Sequence, residues 1–149
     1  MAVRFGILGL GHISTRFASV LNTLENVELA AVASRDLVRS INFAQEYGAK
    51  RACRDYLELI EDPDVEIVYI GLTTNLHYET TRLCLEHHKA VLCEKPLVTT
   101  RAQAEELAAL AKKNHTLLME AMWTRCLPAF QQARKWVKAG RISQVKLIT

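Results

Sequence analysis

Short, nearly continuous apolar runs alternate along this chain with longer stretches in which apolar residues recur at helical spacing. Val3–Leu8, Glu28–Ala33, Val65–Gly71, Ala90–Cys93 and Thr116–Met119 have the character of strands buried on both faces, as the interior of a parallel sheet requires. Between them, Ile13, Phe17, Val20, Leu21 and Leu24 fall on one face of a helix. Leu37–Tyr47 reads as a second helix closed by Gly48, and Tyr56, Leu57 and Ile60 mark one or two helical turns ended by Asp62-Pro63. A short segment at Ala52-Cys53 reads as an edge strand. Tyr78–His88 reads as a helix with Leu83 and Cys84 inward and Thr74 or Asn75 as its cap. Thr100 and Gln103 form a capping-box pair ahead of a helix that buries Ala104, Leu107, Ala108 and Ala111. Pro128 opens a last helix carrying Phe130, Ala133 and Val137, Gly140 ends it, and Val145–Thr149 reads as a strand beginning. Strand and helix in alternation predict an α/β fold, a doubly wound parallel sheet with helices on both faces.

Bulk properties narrow the function classes. The 149 residues fit one ordinary domain, and a hydrophobic fraction of 50% with a charged fraction of 23% is that of a globular protein. The net charge of +3 is small and its basic residues are scattered, so nucleic acid is not implied. Cys53, Cys84, Cys93 and Cys126 lack C-x-x-C and zinc-ligand spacing and are expected as core thiols; no metal site is expected. Met1 leads directly into the first strand without a signal-peptide pattern, and no apolar run reaches membrane-spanning length. A cytoplasmic protein is the expectation.

Candidate chemistry gathers where the apolar runs end. Gly9-Leu10-Gly11-His12-Ile13-Ser14 follows the first strand and precedes the first helix. Glycines suit this reversal, and a pyrophosphate can then lie on the free N–H groups of the helix N-terminus. Ser14 stands where the G-x-G-x-x-G fingerprint has its third glycine. The second strand ends at Ser34-Arg35-Asp36, where such a unit meets the adenosine ribose. Ser34 and Arg35, with Arg39 one turn on, are the donor set a 2′-phosphate wants, which favours NADP over NAD. Asp36 reads either as a ribose acceptor or as a helix cap, and the alternative for Ser34 and Arg35 is a cap and a solvated charge. Leu72, Thr73, Asn75 and His77 occupy the loop after the next strand, where His77 reads equally as a ligand contact or a cap. Glu94-Lys95-Pro96 ends the strand beyond it. Lys95 is the catalytic candidate, because an ammonium there could stabilise an alkoxide as hydride leaves; the bland alternative is a Glu94–Lys95 surface pair.

These stretches, together with Met119-Glu120-Ala121-Met122-Trp123-Thr124-Arg125, resemble the glucose-fructose oxidoreductase/inositol dehydrogenase/MocA family over essentially the whole chain. Glu-Lys-Pro after a strand is the family's signature, and the Met119–Arg125 run is the most specific pointer to its dihydrodiol-oxidising branch. The resemblance implies a Rossmann domain over residues 1–120 that binds NADP or NAD. Gly9, Gly11, His12 and Ile13 would hold the pyrophosphate. Lys95 would sit beside the nicotinamide and the substrate hydroxyl, with Glu94 positioning it and Trp123 and Arg125 close to the cofactor. A cis peptide before Pro96 is implied as well. Residues 121–149 would lead toward a second, antiparallel-sheet domain that supplies the substrate pocket and oligomer interface, and that domain is absent from this sequence. The expected activity is hydride transfer between a nicotinamide and a CH–OH group of a sugar or cyclic trans-diol, with this chain alone inactive. The competing expectation is a non-catalytic dinucleotide-binding or assembly module, with self-association possible.

Overall fold

The computed structural model describes residues 2–144 and 146. Six strands, β1 (Val3–Leu8), β2 (Val27–Ala33), β3 (Arg51–Cys53), β4 (Ile67–Ile70), β5 (Ala90–Cys93) and β6 (Leu118–Glu120), form one parallel sheet in the order β3-β2-β1-β4-β5-β6. This is the doubly wound arrangement, with strand order reversing between β1 and β4. The strand expected at Val145–Thr149 lies, apart from Lys146, outside the described residues.

Strand alternation divides the core between the two faces. Ile7, Val32, Tyr69 and Leu92 point to one side, where helices α1 (His12–Leu21) and α2 (Leu37–Tyr47) supply Ala18, Leu21, Phe43 and Ala44. Leu8, Ala33, Val68, Ile70, Val91 and Cys93 point to the other. There α3 (Tyr56–Glu61), α4 (Thr74–Glu86) and α5 (Arg101–Lys113) contribute Leu59, Ile60, Cys84, Leu85, Leu107 and Ala111. The caps match their chemistry. Asp36 accepts from Val38 N (2.9 Å) and Arg39 N (3.3 Å), so it is the N-cap of α2. Thr100 accepts from Gln103 N at the start of α5, the first half of a capping box.

Helices α1, α4 and α6 depart from the expected pattern. In α1 the buried stripe is Ser14, Ala18 and Leu21, while Ile13 and Val20 are exposed and Leu24 lies beyond the helix end. The reason is close approach: a Cβ on Gly71 would come within 2.1 Å of Ser14 Oγ, so only small side chains fit where α1 crosses the end of β4. Helix α4 begins at Thr74, four residues before the expected start, with Thr73 as its N-cap and His77 on its buried face. Cys126 is exposed, unlike the other three cysteines, because it belongs to a 3-10 helix (Trp123–Cys126) beyond the sheet. The last helix, α6 (Pro128–Lys138), packs mainly on that 3-10 helix, and its expected apolar face of Phe130, Ala133 and Val137 is exposed.

The crossing of α1 over β4 is testable. Gly71→Ala should destabilise the chain by about 1–3 kcal/mol, the cost of overpacking a tight contact, as read from the midpoint of urea unfolding followed by circular dichroism. A wild-type midpoint would show that Ser14 and Gly71 are not in close contact.

Candidate dinucleotide site

Every strand of a parallel sheet delivers its following loop to the same edge, and the switch between β1 and β4 opens a crevice there. Gly9 takes φ +82, and a Cβ at this position would meet the Leu72 side chain at 2.5 Å and Gly71 O at 3.0 Å. Gly11 is different. Its backbone is extended and a Cβ would meet nothing within 4 Å, so the position stands open to whatever lies on the turn. Helix α1 starts at His12 with no side-chain cap on its N–H groups and no acidic residue in its first turn. Unpartnered N–H groups with the positive end of the helix dipole behind them suit a phosphate. Ser14 Oγ donates to Gly9 O and is fully buried. The departure from the fingerprint is thus compensated, since the position without a side chain is Gly71, directly after β4.

Two cavities flank this turn. The first, of about 310 Å³, is lined by Gly9, Leu10 and Gly11 together with Ser34, Arg35, Arg39, Tyr56, Leu72 and Thr73. Arg39 Nη2 donates to Leu10 O, which ties α2 to the glycine turn. Ser34 lies on the wall, but its hydroxyl donates to Asp36 O at 2.6 Å and pairs with Ser40 Oγ, so its proton is used inside the chain. Arg35 is exposed and close enough to Tyr56 to act on its phenol: burial raises that pKa and the guanidinium opposes the rise.

The second cavity, of about 420 Å³, is almost wholly apolar and is lined by Ile13, Phe17, Tyr69, Leu92, Met119 and Trp123, with Glu94 as its one carboxylate. Glu94 Oε1 accepts from Tyr69 Oη at 2.8 Å and Oε2 accepts from Lys95 N at 3.3 Å. Glu94 therefore holds the backbone of the loop rather than the Lys95 ammonium. Among the described residues no carboxylate lies within ion-pair distance of Lys95 Nζ, and the side chain is exposed at the sheet edge. The Lys95–Pro96 peptide is cis.

Two more side chains brace this loop. Glu120 Oε1 accepts from Leu97 N at 2.9 Å. His77, 1% exposed, places Nδ1 2.8 Å from Pro96 O and Nε2 3.0 Å from Leu72 O. His77 reads in the sequence equally as a ligand contact or a cap; Thr73 is the N-cap of α4, and the buried His77 ring lies between the β4 and β5 loops with its nitrogens facing both carbonyls. Asn75 is an exposed residue of the first turn of α4 and lines neither cavity; Leu72 and Thr73 line the polar one. His12 is exposed at the first position of α1. Trp123 lines the apolar cavity, whereas Arg125 turns away from it to a depression against α6 with Phe130 and Val137. Tyr69, Tyr56 and Glu120 were not singled out in the sequence. Tyr69 reads there as strand core, Tyr56 as a helix residue and Glu120 as a polar strand end. Nothing local distinguishes their hydroxyls and carboxylate from ordinary ones.

Residues 3–122 match the family described as "Oxidoreductase family, NAD-binding Rossmann fold". The chain belongs to this family, Gfo/Idh/MocA. It is an NAD(P)-binding domain of Rossmann fold. Among curated relatives it is 39% identical to trans-1,2-dihydrobenzene-1,2-diol dehydrogenase of Xenopus tropicalis and 42% identical to that of Homo sapiens. Each match covers 99% of this chain, and the chain spans 46% and 45% of those relatives' lengths. Among solved structures it is similar to KijD10, a 3-ketoreductase from Actinomadura kijaniata in complex with NADP and TDP-benzene. The TM-score is 0.87 at 34% identity, over 94% of this chain and 43% of that one. A probable dehydrogenase from Thermotoga maritima gives the same TM-score at 31% identity, over 95% of this chain and 42% of that one. Among the described residues no helix is long and apolar enough to cross a membrane, and no three His, Cys, Asp or Glu side chains cluster as a metal site would need.

The brace on the Lys95 loop gives a direct prediction. His77→Leu keeps the bulk of the ring but removes the N–H that it donates to one of the Leu72 and Pro96 carbonyls, so stability should fall by about 1–3 kcal/mol and hydrogen exchange should quicken in both loops. Wild-type exchange there would show that the ring does not join them.

Proposed function

We propose that this chain is the NADP-binding part of an oxidoreductase that moves hydride between the nicotinamide and a CH–OH carbon of a sugar or cyclic trans-diol. The observation that carries the reading is the pair of cavities on either side of the start of α1, a polar one lined by the glycine turn with Arg35 and Arg39, and a mostly apolar one that begins at Ile13. A dinucleotide has this same division, with charged phosphates between two flat ring systems. The solved NADP complex of a similar chain and the diol dehydrogenases among its relatives support the choice of ligand and reaction class.

Gly9, Gly11, His12 and Ile13 take the pyrophosphate on the α1 N-terminus, where the space beside Gly11 leaves room for its oxygens. Arg35 and Arg39 read the 2′-phosphate with charge-assisted bonds, and Ser34 shapes the wall behind them. Leu72 and Thr73 close the polar cavity from the β4 side. Ile13 and Trp123 would hold the nicotinamide in the apolar cavity, and Glu94 would offer acceptor sites to its carboxamide. When bound, the nicotinamide supplies the hydride acceptor or donor. Lys95 meets the carbinol oxygen: its ammonium, uncommitted to a carboxylate, donates a hydrogen bond that strengthens as negative charge develops on that oxygen. Residues 1–120 make up most of the binding unit, and Ala121, Met122 and Trp123 complete the wall of its apolar cavity.

Titration by calorimetry should show saturable binding of NADPH that is tighter than that of NADH. Arg35→Ala should weaken NADPH by about 10- to 100-fold, the loss of a hydrogen bond between charged groups, and leave NADH unaffected, while Arg39→Ala, which also releases Leu10 O in the glycine turn, should weaken NADPH more than NADH. Equal losses for both nucleotides would remove the 2′-phosphate from these arginines. In a protein that oxidises a trans-diol, Lys95→Met should lower turnover by about 10²–10³ with NADPH affinity unchanged; turnover at the wild-type rate would eliminate Lys95 as the catalytic residue.

A further inference from the structure

Tyr69 is 1% exposed and ranks among the largest fully buried side chains, yet it carries a hydroxyl into the wall of the apolar cavity. Its ring lies flat on Phe17 of α1, with centroids 3.9 Å apart and planes 7° from parallel, and Phe17 in turn meets the edge of Phe5 at 5.6 Å. The phenol has little freedom to turn. Its Oη donates to Glu94 Oε1 at 2.8 Å, and the second oxygen of that carboxylate accepts the Lys95 N–H. A buried phenylalanine would fill the same volume. The hydroxyl is needed only if the carboxylate must be held in one orientation, since a charged group beside an apolar cavity otherwise swings toward water. Burial and the neighbouring carboxylate also hold the phenol well above its ordinary pKa, so it remains a donor throughout the accessible pH range.

We infer that Tyr69 is a positioning residue: through its hydrogen bond to Glu94 it fixes the carboxylate at the end of the apolar cavity, where the nicotinamide half of the dinucleotide is read. The inference rests on the proposed function of the two cavities. Each oxygen of Glu94 uses one acceptor site on the protein and keeps another for a ligand. Rotation of the carboxylate would lose the ligand's bond and the support of the Lys95 backbone together. The stack on Phe17 extends this control to α1, whose first turn carries the phosphate-binding N–H groups.

The test compares two probes on the intact chain, NADPH and 2′,5′-ADP, the second lacking the nicotinamide half. Tyr69→Phe keeps the ring and its stack and removes only the donor. It should weaken NADPH about tenfold, as expected for one hydrogen bond acting through a charged group, and leave 2′,5′-ADP unchanged. In a Glu94→Ala background the same substitution should have no further effect on NADPH, because a residue that acts through Glu94 has nothing left to act on. Unchanged NADPH binding by Tyr69→Phe, an equal loss for both probes, or an additive loss with Glu94→Ala would each overturn the positioning role while leaving the dinucleotide site intact. Failure of the wild-type chain to bind either probe would overturn the site and the inference with it.

Discussion

The reversal at Gly9 is the constraint on which the rest of the site depends. The backbone leaves β1 at φ +82 with the Leu72 side chain and the Gly71 carbonyl directly behind it, so any Cβ here would push β1 and the β4 loop apart. Holding those two together has three consequences. It sets β1 beside β4, where strand order reverses and the crevice opens. It brings Ser14 onto Gly71, which fixes how α1 lies across the sheet. It aims the first turn of α1 at the edge where Arg35, Arg39 and Glu94 also arrive. The affinity of such a turn for phosphate is a by-product of helix geometry, since the unpartnered N–H groups exist wherever a helix begins; what the glycines contribute is access.

The fold was legible because its signals are local. β1 and α2 were read with their observed bounds, and the alternation of buried strands with helices leaves few topologies open. The face of α1 was not legible. Hydrophobic periodicity selects Ile13, Phe17, Val20, Leu21 and Leu24, of which Phe17 and Leu21 do pack inward, whereas close approach at Gly71 selects Ser14, and size at a contact is invisible in a polarity pattern. The start of α4 was displaced for a similar reason: Thr74 to His77 resemble loop residues by type, yet His77 is buried because it joins two carbonyls that lie far apart in sequence.

The site was legible as a set of strand ends and not as a set of contacts. Every loop picked from the sequence reaches the same edge, which follows from parallel strands alone. The division of labour among the side chains depends on tertiary partners. Ser34 spends its proton on Asp36, His77 spends its ring on Leu72 and Pro96, and Glu94 turns to Tyr69 and the Lys95 backbone rather than to the Lys95 ammonium. Three side chains from β4, α4 and β6 converge on the loop that carries Lys95, and among the described residues no carboxylate pairs with the ammonium itself. A rigid loop bearing an uncommitted cation is the pattern of a group kept for a ligand.

The central claim is that the glycine turn seats the pyrophosphate with the two cavities holding the two ends of the dinucleotide. It is tested most directly by following backbone amide resonances of the isotope-labelled chain during an NADPH titration. The account predicts the largest shifts at Gly11, His12 and Ile13, flanked by shifts at Arg35 and Arg39 on one side and at Glu94 and Trp123 on the other. Saturable shifts confined to the α6 surface around Phe130 and Arg134, with the Gly11–Ile13 amides unmoved, would contradict it.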